Sequence, residues 1–270
     1  MLTETTDFTY VSPPISTTAD PMDFDDLRAA NTSPTPKYSN YYTAANDTVD
    51  GSNKGDSIHA QGGSDAVYGH GGNDILWGEK DPYSGYPAAG VAGNDQLYGQ
   101  AGDDTLSGNV GNDTLYGGSG VDTLYGNAAN NVGTELGNDT LYGGSGNDRL
   151  YGQHGDDVLV GGTGADWIYG GEGADVFVYN SAADTGDWIF DFLRGTDKLD
   201  LTALDLDPLA FVGALASAGE VDAGQVGFVT GYGPTAVETY LYIDTDGVFG
   251  ADLEIRLIGV NQFGVDDILW

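Results

Sequence analysis

Aspartate recurs at nine-residue spacing through the middle of this 270-residue chain, so the sequence supplies carboxylates in a fixed array. Each aspartate follows a Gly-rich segment and precedes, by two residues, an apolar side chain, as in residues 143–151. The series consists of Asp56, Asp65, Asp74, Asp95, Asp104, Asp113, Asp122, Asp139, Asp148, Asp157, Asp166 and Asp175. A weaker copy at Asp47 brings the total to thirteen units, and insertions near residues 79–90 and 127–134 interrupt the period.

Arrayed carboxylates can act as acid and base in glycoside hydrolysis, or they can supply oxygen ligands to a hard cation. Because the same carboxylate recurs in every unit, cation binding is favoured over a single pair of catalytic carboxylates. The charge agrees, because 42 acidic residues face only 8 Lys and Arg and leave a formal charge of -34. A compact chain with this charge repels itself unless cations bind.

The apolar residues of the repeat predict the architecture. Each unit reads as a Gly-rich turn followed by a three-residue strand whose middle side chain points inward. Two units then form one coil of eighteen residues, and coils stack at about 4.8 Å. The fold class is therefore all-β, a right-handed parallel β-roll. Its core comprises Ile58, Val67, Leu76, Leu97, Leu106, Leu115, Leu124, Leu141, Leu150, Leu159, Ile168 and Phe177.

The turns are predicted to bind calcium between coils. Glycine permits the positive φ that directs carbonyls inward, and Ca²⁺ takes six to eight oxygens from carboxylates and carbonyls. Stacked aspartates would repel without a cation between them. One ion per gap, in stacks of seven and six aspartates, gives at most about eleven ions. The predicted carbonyl ligands are the glycines two residues before each aspartate: Gly72, Gly93, Gly102, Gly111, Gly120, Gly137, Gly146, Gly155 and Gly164.

The units resemble the RTX (hemolysin-type) nonapeptide G-G-x-G-x-D-x-U-x over residues 46–178. This resemblance implies a calcium-binding β-roll. Lys54 replaces the fourth-position glycine of its unit, and the unit of Asp47 has no glycine, so calcium is less expected at the N-terminal end.

Residues 179–270 are predicted to form a C-terminal β-rich domain that caps the roll. Residues 187–201 resemble the run D-x-I-x-D-F-x-x-G-x-D-K-I-D-L of the serralysin-type C-terminal domain. Asp207 followed by Pro208 predicts the start of one short helix over residues 209–218. Asp244, Asp246 and Asp252 resemble a further stretch of that family and could hold one more Ca²⁺.

The two ends predict an exported protein. The N-terminus lacks the basic and apolar segments of a secretory signal peptide, whereas residues 267–270 are similar to the acidic and apolar tail of proteins exported by type I secretion. Type I secretion machinery is therefore an expected partner, and the expected location is extracellular. Residues 1–45, rich in Pro, Thr and Asp, are predicted to be largely disordered.

Several function classes are excluded by what the sequence lacks. It has no cysteine, no H-E-x-x-H zinc motif, no phosphate-binding loop and no G-x-S-x-G elbow, so no enzymatic activity is expected. Without clustered Lys or Arg, nucleic acid is not an expected partner. The longest apolar stretch is about half of the roughly 20 residues that a membrane-spanning helix needs, so membrane insertion is not expected.

Aromatic residues follow the core positions in rows, for example Tyr68, Tyr98, Tyr116 and Tyr142 on one sheet and Trp77, Tyr125, Tyr151 and Tyr169 on the other. They could bind an extracellular polysaccharide or cell surface, or they could stabilise the sheets without a ligand. The leading hypothesis is a secreted, non-enzymatic protein that folds on binding several Ca²⁺ outside the cell. The alternative is an accessory calcium-binding module of an extracellular polysaccharide-modifying enzyme or protease system.

Overall fold

The computed structural model describes residues 38–39, 45–79, 93–127, 137–204, 206, 211–215, 225–232, 237–245 and 251–270. All of them belong to one compact unit, residues 36–270, whereas the other unit, residues 1–35, lies outside the described residues. The described residues form β-strands joined by turns, with short 3-10 helices at Thr202–Leu204 and Val265–Asp267. Among these residues, no helix has the length and apolar character needed to cross a bilayer.

Two parallel sheets are built from alternate strands of the repeat region. The twelve-stranded sheet takes β1 (Tyr38–Ser39), β3 (Ser57–Gln61), β5 (Ile75–Glu79), β7 (Thr105–Asn109), β9 (Thr123–Asn127), β11 (Arg149–His154), β13 (Trp167–Glu172) and β15 (Asp187–Ile189). The nine-stranded sheet takes β2 (Thr48–Ser52), β4 (Ala66–Gly71), β6 (Gln96–Ala101), β8 (Thr114–Ser119), β10 (Thr140–Ser145), β12 (Val158–Thr163), β14 (Val176–Val178), β16 (Lys198–Asp200) and β21 (Ile268–Leu269). This arrangement confirms the predicted parallel β-roll.

The register of the strands places the repeated apolar residues opposite one another. Leu124 pairs with Leu150, and Leu150 pairs with Ile168 in the next coil. All twelve predicted core residues are at most 2% exposed. Leu97 pairs with Val67 across the first insertion, which shows that the insertion changes the length of one coil and leaves the register intact. The insertions themselves lie mostly outside the described residues.

Both sheets continue beyond the last repeat. Lys198 pairs with Val176 in the nine-stranded sheet, and Trp188 pairs with Trp167 in the twelve-stranded sheet. Beyond β15 the twelve-stranded sheet turns to a mixed arrangement of β20 (Leu253–Ile258), β19 (Val237–Ile243), β18 (Val226–Tyr232) and β17 (Phe211–Ala214). A separate C-terminal domain from residue 179 remains a prediction. The disorder of residues 1–45 also remains a prediction. Strand β1, which lies in this segment, pairs with β3 of the roll.

The helix predicted over residues 209–218 is wrong where the structure describes it, because Phe211–Ala214 form strand β17. This strand pairs with β18, and the Phe211 ring lies 6.1 Å from that of Phe228 and 6.4 Å from that of Phe263. Gly213 has φ +81°, which a right-handed helix does not accommodate. These tertiary contacts outweigh the local helix-start signal at Asp207 and Pro208, which lie outside the described residues.

The glycines two residues before the aspartates stack so closely that no side chain fits between them. Seven have φ from 104° to 140°: Gly72, Gly102, Gly111, Gly120, Gly146, Gly155 and Gly164. A Cβ added to Gly146 would lie 1.5 Å from the carbonyl oxygen of Gly120, one coil earlier. The left-handed turn and the close approach of the coils both require glycine here.

We expect Gly146→Ala to lower the free energy of unfolding by about 3 kcal/mol or more, since it combines a positive φ with a steric clash. Gly195→Ala is the matched control, because Gly195 has φ +81° but no atom within 4 Å of an added Cβ. This control should lose only about 1 kcal/mol. Urea denaturation of both variants under identical conditions measures the difference, and an equal loss in the two would contradict it.

Candidate metal centre

Stacked aspartates occupy the turn immediately before each strand of the roll. The backbone N–H of Asp104 donates to Oδ1 of Asp122 at 2.8 Å, and the N–H of Asp122 donates to Oδ1 of Asp148 at 2.8 Å. The same hydrogen bond links one stack of Asp56, Asp74, Asp104, Asp122, Asp148 and Asp166, and a second stack of Asp47, Asp65, Asp95, Asp113, Asp139, Asp157 and Asp175. The structure thus brings all the predicted repeat aspartates together in two rows.

Two further aspartates, which the nine-residue period did not reveal, end these stacks. Asp187 accepts a hydrogen bond from the N–H of Asp166 at 2.9 Å, and Asp197 accepts one from the N–H of Asp175 at 3.1 Å. Their spacings from these partners are 21 and 22 residues rather than 18, which conceals them from a search at fixed period. The sequence signal that could have revealed these two aspartates is the apolar residue two positions after each of them. These residues are Ile189 and Leu199, and both are buried.

The second oxygen of most stacked aspartates is buried and has no hydrogen-bond partner. This holds for Oδ2 of Asp65, Asp74, Asp95, Asp104, Asp113, Asp122, Asp148, Asp157, Asp166 and Asp175. Asp139 differs because Asn127 donates to its Oδ2 at 2.6 Å. An ionised carboxylate oxygen that is buried without a partner is strongly destabilising, so these positions require either a proton or a cation.

Asp56 shows that the N-terminal end of the roll is different. Its Oδ2 accepts hydrogen bonds from the N–H of Ser52 at 2.6 Å and from the Ser52 hydroxyl at 2.8 Å. Since the protein itself satisfies this oxygen, the position has less need of a cation. Weaker calcium binding near Lys54 stays a prediction, with which these two hydrogen bonds are consistent.

Burial raises the pKa of the stacked carboxyls from Asp65 to Asp197, and the backbone N–H donors only partly oppose this effect. The pKa of Asp113 rises to about 9, through burial first and then through the negative charges of Asp139, Glu79 and Asp95. The pKa of Asp122 rises to about 7 and that of Asp157 to about 8 for the same kind of reason. In the absence of a cation the folded stacks therefore hold protons near neutral pH.

The donor set suits calcium. Within the described residues, no three acidic, histidine or cysteine side chains could by themselves hold a metal ion, so backbone oxygens must supply part of any shell. Such oxygens are at hand, because the carbonyls of the stacked glycines lie within 2 Å of where a Cβ would stand on Gly120, Gly146 and Gly164. Carboxylates combined with several carbonyls are typical of Ca²⁺, whereas Mg²⁺ demands a small octahedron and retains water.

A second ladder of side chains runs beside the aspartates and was not predicted. Asn94 Oδ1 accepts a hydrogen bond from the N–H of Asn112 at 3.0 Å, and Asn112 Oδ1 accepts one from the N–H of Asn138 at 2.9 Å. Here the acceptor precedes the donor in the chain, the reverse of the aspartate ladder. Asp103 takes the same role and accepts from the N–H of Val121 at 2.9 Å on the exposed side of the turn.

The separate calcium site predicted at Asp244, Asp246 and Asp252 is only partly described. Asp244 is buried, and Asp252 Oδ2 accepts hydrogen bonds from the N–H and the hydroxyl of Thr245, each at 2.7 Å. Asp246 lies outside the described residues. A calcium ion at this loop stays a prediction.

The predicted aromatic rows exist, and their rings stack face to face. Tyr116 lies 4.8 Å from both Tyr98 and Tyr142, with ring planes within 2° of parallel. On the other sheet Tyr151 lies 5.0 Å from Tyr125 and from Tyr169. Neighbouring rings cover these aromatic faces, which favours a role in stabilising the sheets over the stacking of sugars.

Comparison with known protein families agrees with this geometry. Residues 45–269 match the family model described as Peptidase M10 serralysin C terminal. The chain belongs to this family. As a member of the serralysin C-terminal family it has the RTX-type roll that its repeats indicated.

Comparison with solved structures finds subunits of a mannuronan C5-epimerase and an extracellular lipase. The AlgE6R3 subunit of the Azotobacter vinelandii mannuronan C5-epimerase is 27% identical, with 70% of this chain and 86% of that chain covered and a TM-score of 0.39. The AlgE6R2 subunit is also 27% identical, with 61% and 91% covered and a TM-score of 0.33. The extracellular lipase LipA of Serratia marcescens is 17% identical, with 84% and 40% covered and a TM-score of 0.26. No curated protein sequence matches the chain.

We expect Asp122→Asn to raise the calcium concentration at the midpoint of folding by about threefold or more, because a neutral amide replaces a charged ligand. The amide oxygen can still accept from Asp104, so the ladder is preserved. Asp103→Asn is the matched control, as it removes the same charge from the exposed ladder. Calcium titration followed by circular dichroism should separate the two variants, and equal midpoints would exclude Asp122 as a ligand.

The metal-free roll should become less stable as the pH rises from about 4 towards 7 and above. Over this window the buried carboxyls keep protons in the folded state, with pKa values of about 6 for Asp95 and about 9 for Asp113, whereas unfolded aspartates have lost them. Circular dichroism in chelator should therefore show more β-structure at pH 5 than at pH 7.5. A gain of structure on raising the pH would contradict the assignment.

Proposed function

We propose that this chain is a secreted, non-enzymatic calcium-binding protein whose roll folds when Ca²⁺ enters the gaps between its stacked aspartates. The observation that carries the proposal is the row of buried Oδ2 atoms without a hydrogen-bond partner. At neutral pH these oxygens are compatible with a folded state only if a cation or a proton neutralises them. Calcium is the extracellular cation whose ligand preference matches carboxylates and carbonyls.

The number of ions follows from the number of gaps. Asp187 and Asp197 lengthen the stacks to seven and eight aspartates, which contain six and seven gaps. The upper limit therefore rises from about eleven to about thirteen ions, with one more in the loop of Asp244 and Asp252. Asp56, Asp139 and Asp197 have protein donors at Oδ2, and we expect the gaps beside them to bind more weakly.

The fold supports export before folding. Asp267, in the tail expected to interact with type I secretion machinery, is 1% exposed and accepts hydrogen bonds from Arg194 Nε at 3.1 Å and Gly264 N–H at 2.9 Å. Ile268 pairs with Leu199 at the edge of the nine-stranded sheet. A tail held in this way is accessible to a transporter only while the chain is unfolded, as it would be at low cytosolic calcium. Folding would then follow in the extracellular medium.

A second candidate is an accessory module that acts beside an extracellular enzyme carried on another chain. The family match supports this candidate, since the matching model is named for the C-terminal part of a peptidase. In that case the roll would serve export and stability of a complex, and co-secretion should recover a specific enzyme partner bound to the folded roll.

The decisive experiment is circular dichroism of the full chain at pH 7.5 in chelator, in millimolar Ca²⁺ and in millimolar Mg²⁺. We expect a largely unfolded spectrum in chelator, a β-rich spectrum in Ca²⁺ and little change in Mg²⁺, because each folded coil needs the cation. A β-rich spectrum in chelator at this pH would refute the proposal.

A further inference from the structure

One row of side chains on the outer face of the twelve-stranded sheet differs from the closed tyrosine ladders. The strand register aligns Arg149, Trp167, Trp188, Arg256 and Tyr240 on the adjacent strands β11, β13, β15, β20 and β19. We refer to these five residues as the Trp–Arg row. The row crosses from the repeat strands into the antiparallel C-terminal strands, so it is assembled only when both parts of the sheet have formed.

The rings of the Trp–Arg row are splayed. Trp167 lies 6.5 Å from Trp188 with a tilt of 30°, and 5.5 Å from Phe190 with a tilt of 58°. Trp167 is 44% exposed, the most of any aromatic residue in the described part of the chain. Adjacent tyrosines such as Tyr98 and Tyr116 are within 2° of parallel and cover one another. Trp167 therefore leaves part of its ring open to solvent, whereas the stacked tyrosines of the ladders are only partly exposed.

The arginines are held against these rings. The guanidinium carbon of Arg149 lies 5.3 Å from the Trp167 ring centroid, and that of Arg256 lies 4.9 Å from the Trp188 centroid. Arg256 also donates through Nε to Glu254 at 3.1 Å, the acidic group that faces it. Such cation–π and ion-pair contacts reduce the freedom of the guanidinium groups before any ligand arrives.

The charge of the row is unusual for this protein. The chain has 8 Lys and Arg against 42 Asp and Glu, yet two of the cations flank the paired tryptophans. Three strand spacings separate Arg149 from Arg256, about 14 Å along a flat face. The geometry fits a long, narrow ligand with anionic groups at intervals and apolar faces between them, and a flat sheet surface does not enclose a small molecule.

We propose that the Trp–Arg row binds an extended polysaccharide that carries carboxylate groups. The guanidinium groups of Arg149 and Arg256 would pair with sugar carboxylates, and the exposed part of the Trp167 indole would pack against the C–H face of a sugar ring. The inference rests on the proposed function, because the row exists only in the folded roll.

The test is isothermal titration of the full chain, folded in a fixed concentration of Ca²⁺, with soluble oligogalacturonate. Arg149→Ala combined with Trp167→Ala should weaken binding about tenfold or more, with an unchanged circular dichroism spectrum. Lys54→Ala combined with Trp77→Ala is the matched control, because it removes one cation and one outward tryptophan near the other end of the same sheet. The control should bind like the wild type, and methyl-esterified oligogalacturonate should bind more weakly.

Each other result overturns the proposal. A folded wild-type chain that does not bind oligogalacturonate excludes the row as its site. If the Arg149 and Trp167 double variant binds oligogalacturonate as tightly as the wild type, the sugar is held elsewhere, for example by calcium bridged to other carboxylates. If the esterified sugar binds as tightly as the free acid, the arginines do not recognise carboxylates. Loss of self-association in the variant, without sugar binding by the wild type, would identify a dimer surface. If the chain stays unfolded in Ca²⁺, the calcium-dependent folding fails and the row fails with it.

Discussion

The buried aspartate stack is the constraint on which the rest of this structure depends. Stacking the coils places carboxylates one above another at the spacing of hydrogen-bonded strands, and in most of these groups the backbone N–H donors satisfy only one oxygen. The other oxygen is enclosed by glycine, since a Cβ on Gly117 would lie 2.6 Å from Oδ2 of Asp122. The same close packing that forms the core therefore creates a charge that the protein alone does not neutralise.

The apolar core is insufficient to offset this charge by itself. Each coil contributes two inward side chains, such as Leu115 and Leu124, and the remaining residues of the coil lie in turns or face outward. Such a narrow core buries little apolar area per residue, while the turns require many ordered glycines, each with a large entropic cost. Under the proposed function, cation binding supplies the missing stability, and its coupling to folding would allow the chain to be extended in one environment and compact in another.

The sequence predicted those features that depend on contacts at a constant interval. The nine-residue period sets which leucines meet and which aspartates stack, and both were confirmed. It failed where the interval changes, as at Asp187 and Asp197, whose coils are longer. The helix over residues 209–218 was wrong because the partners of Phe211 are far away in sequence. The Trp–Arg row had no sequence signal, since the register that joins Arg256 to Trp188 belongs to no repeat.

The direction of the ladders gives the roll a polarity. In the aspartate ladder each N–H is satisfied by a carboxylate of the following coil, whereas in the outer ladder the acceptor belongs to the preceding coil. For the last coils of the repeat the following coil is the C-terminal segment, which supplies Asp187 and Asp197. If the roll formed from its N-terminal end, the aspartate N–H of each new turn would lack its carboxylate acceptor. If it formed from the C-terminal end, each new turn would meet an acceptor already in place. The C-terminal segment thus supplies the last acceptors of both aspartate stacks, and one stack ends at Asp56, whose Oδ2 is satisfied by Ser52.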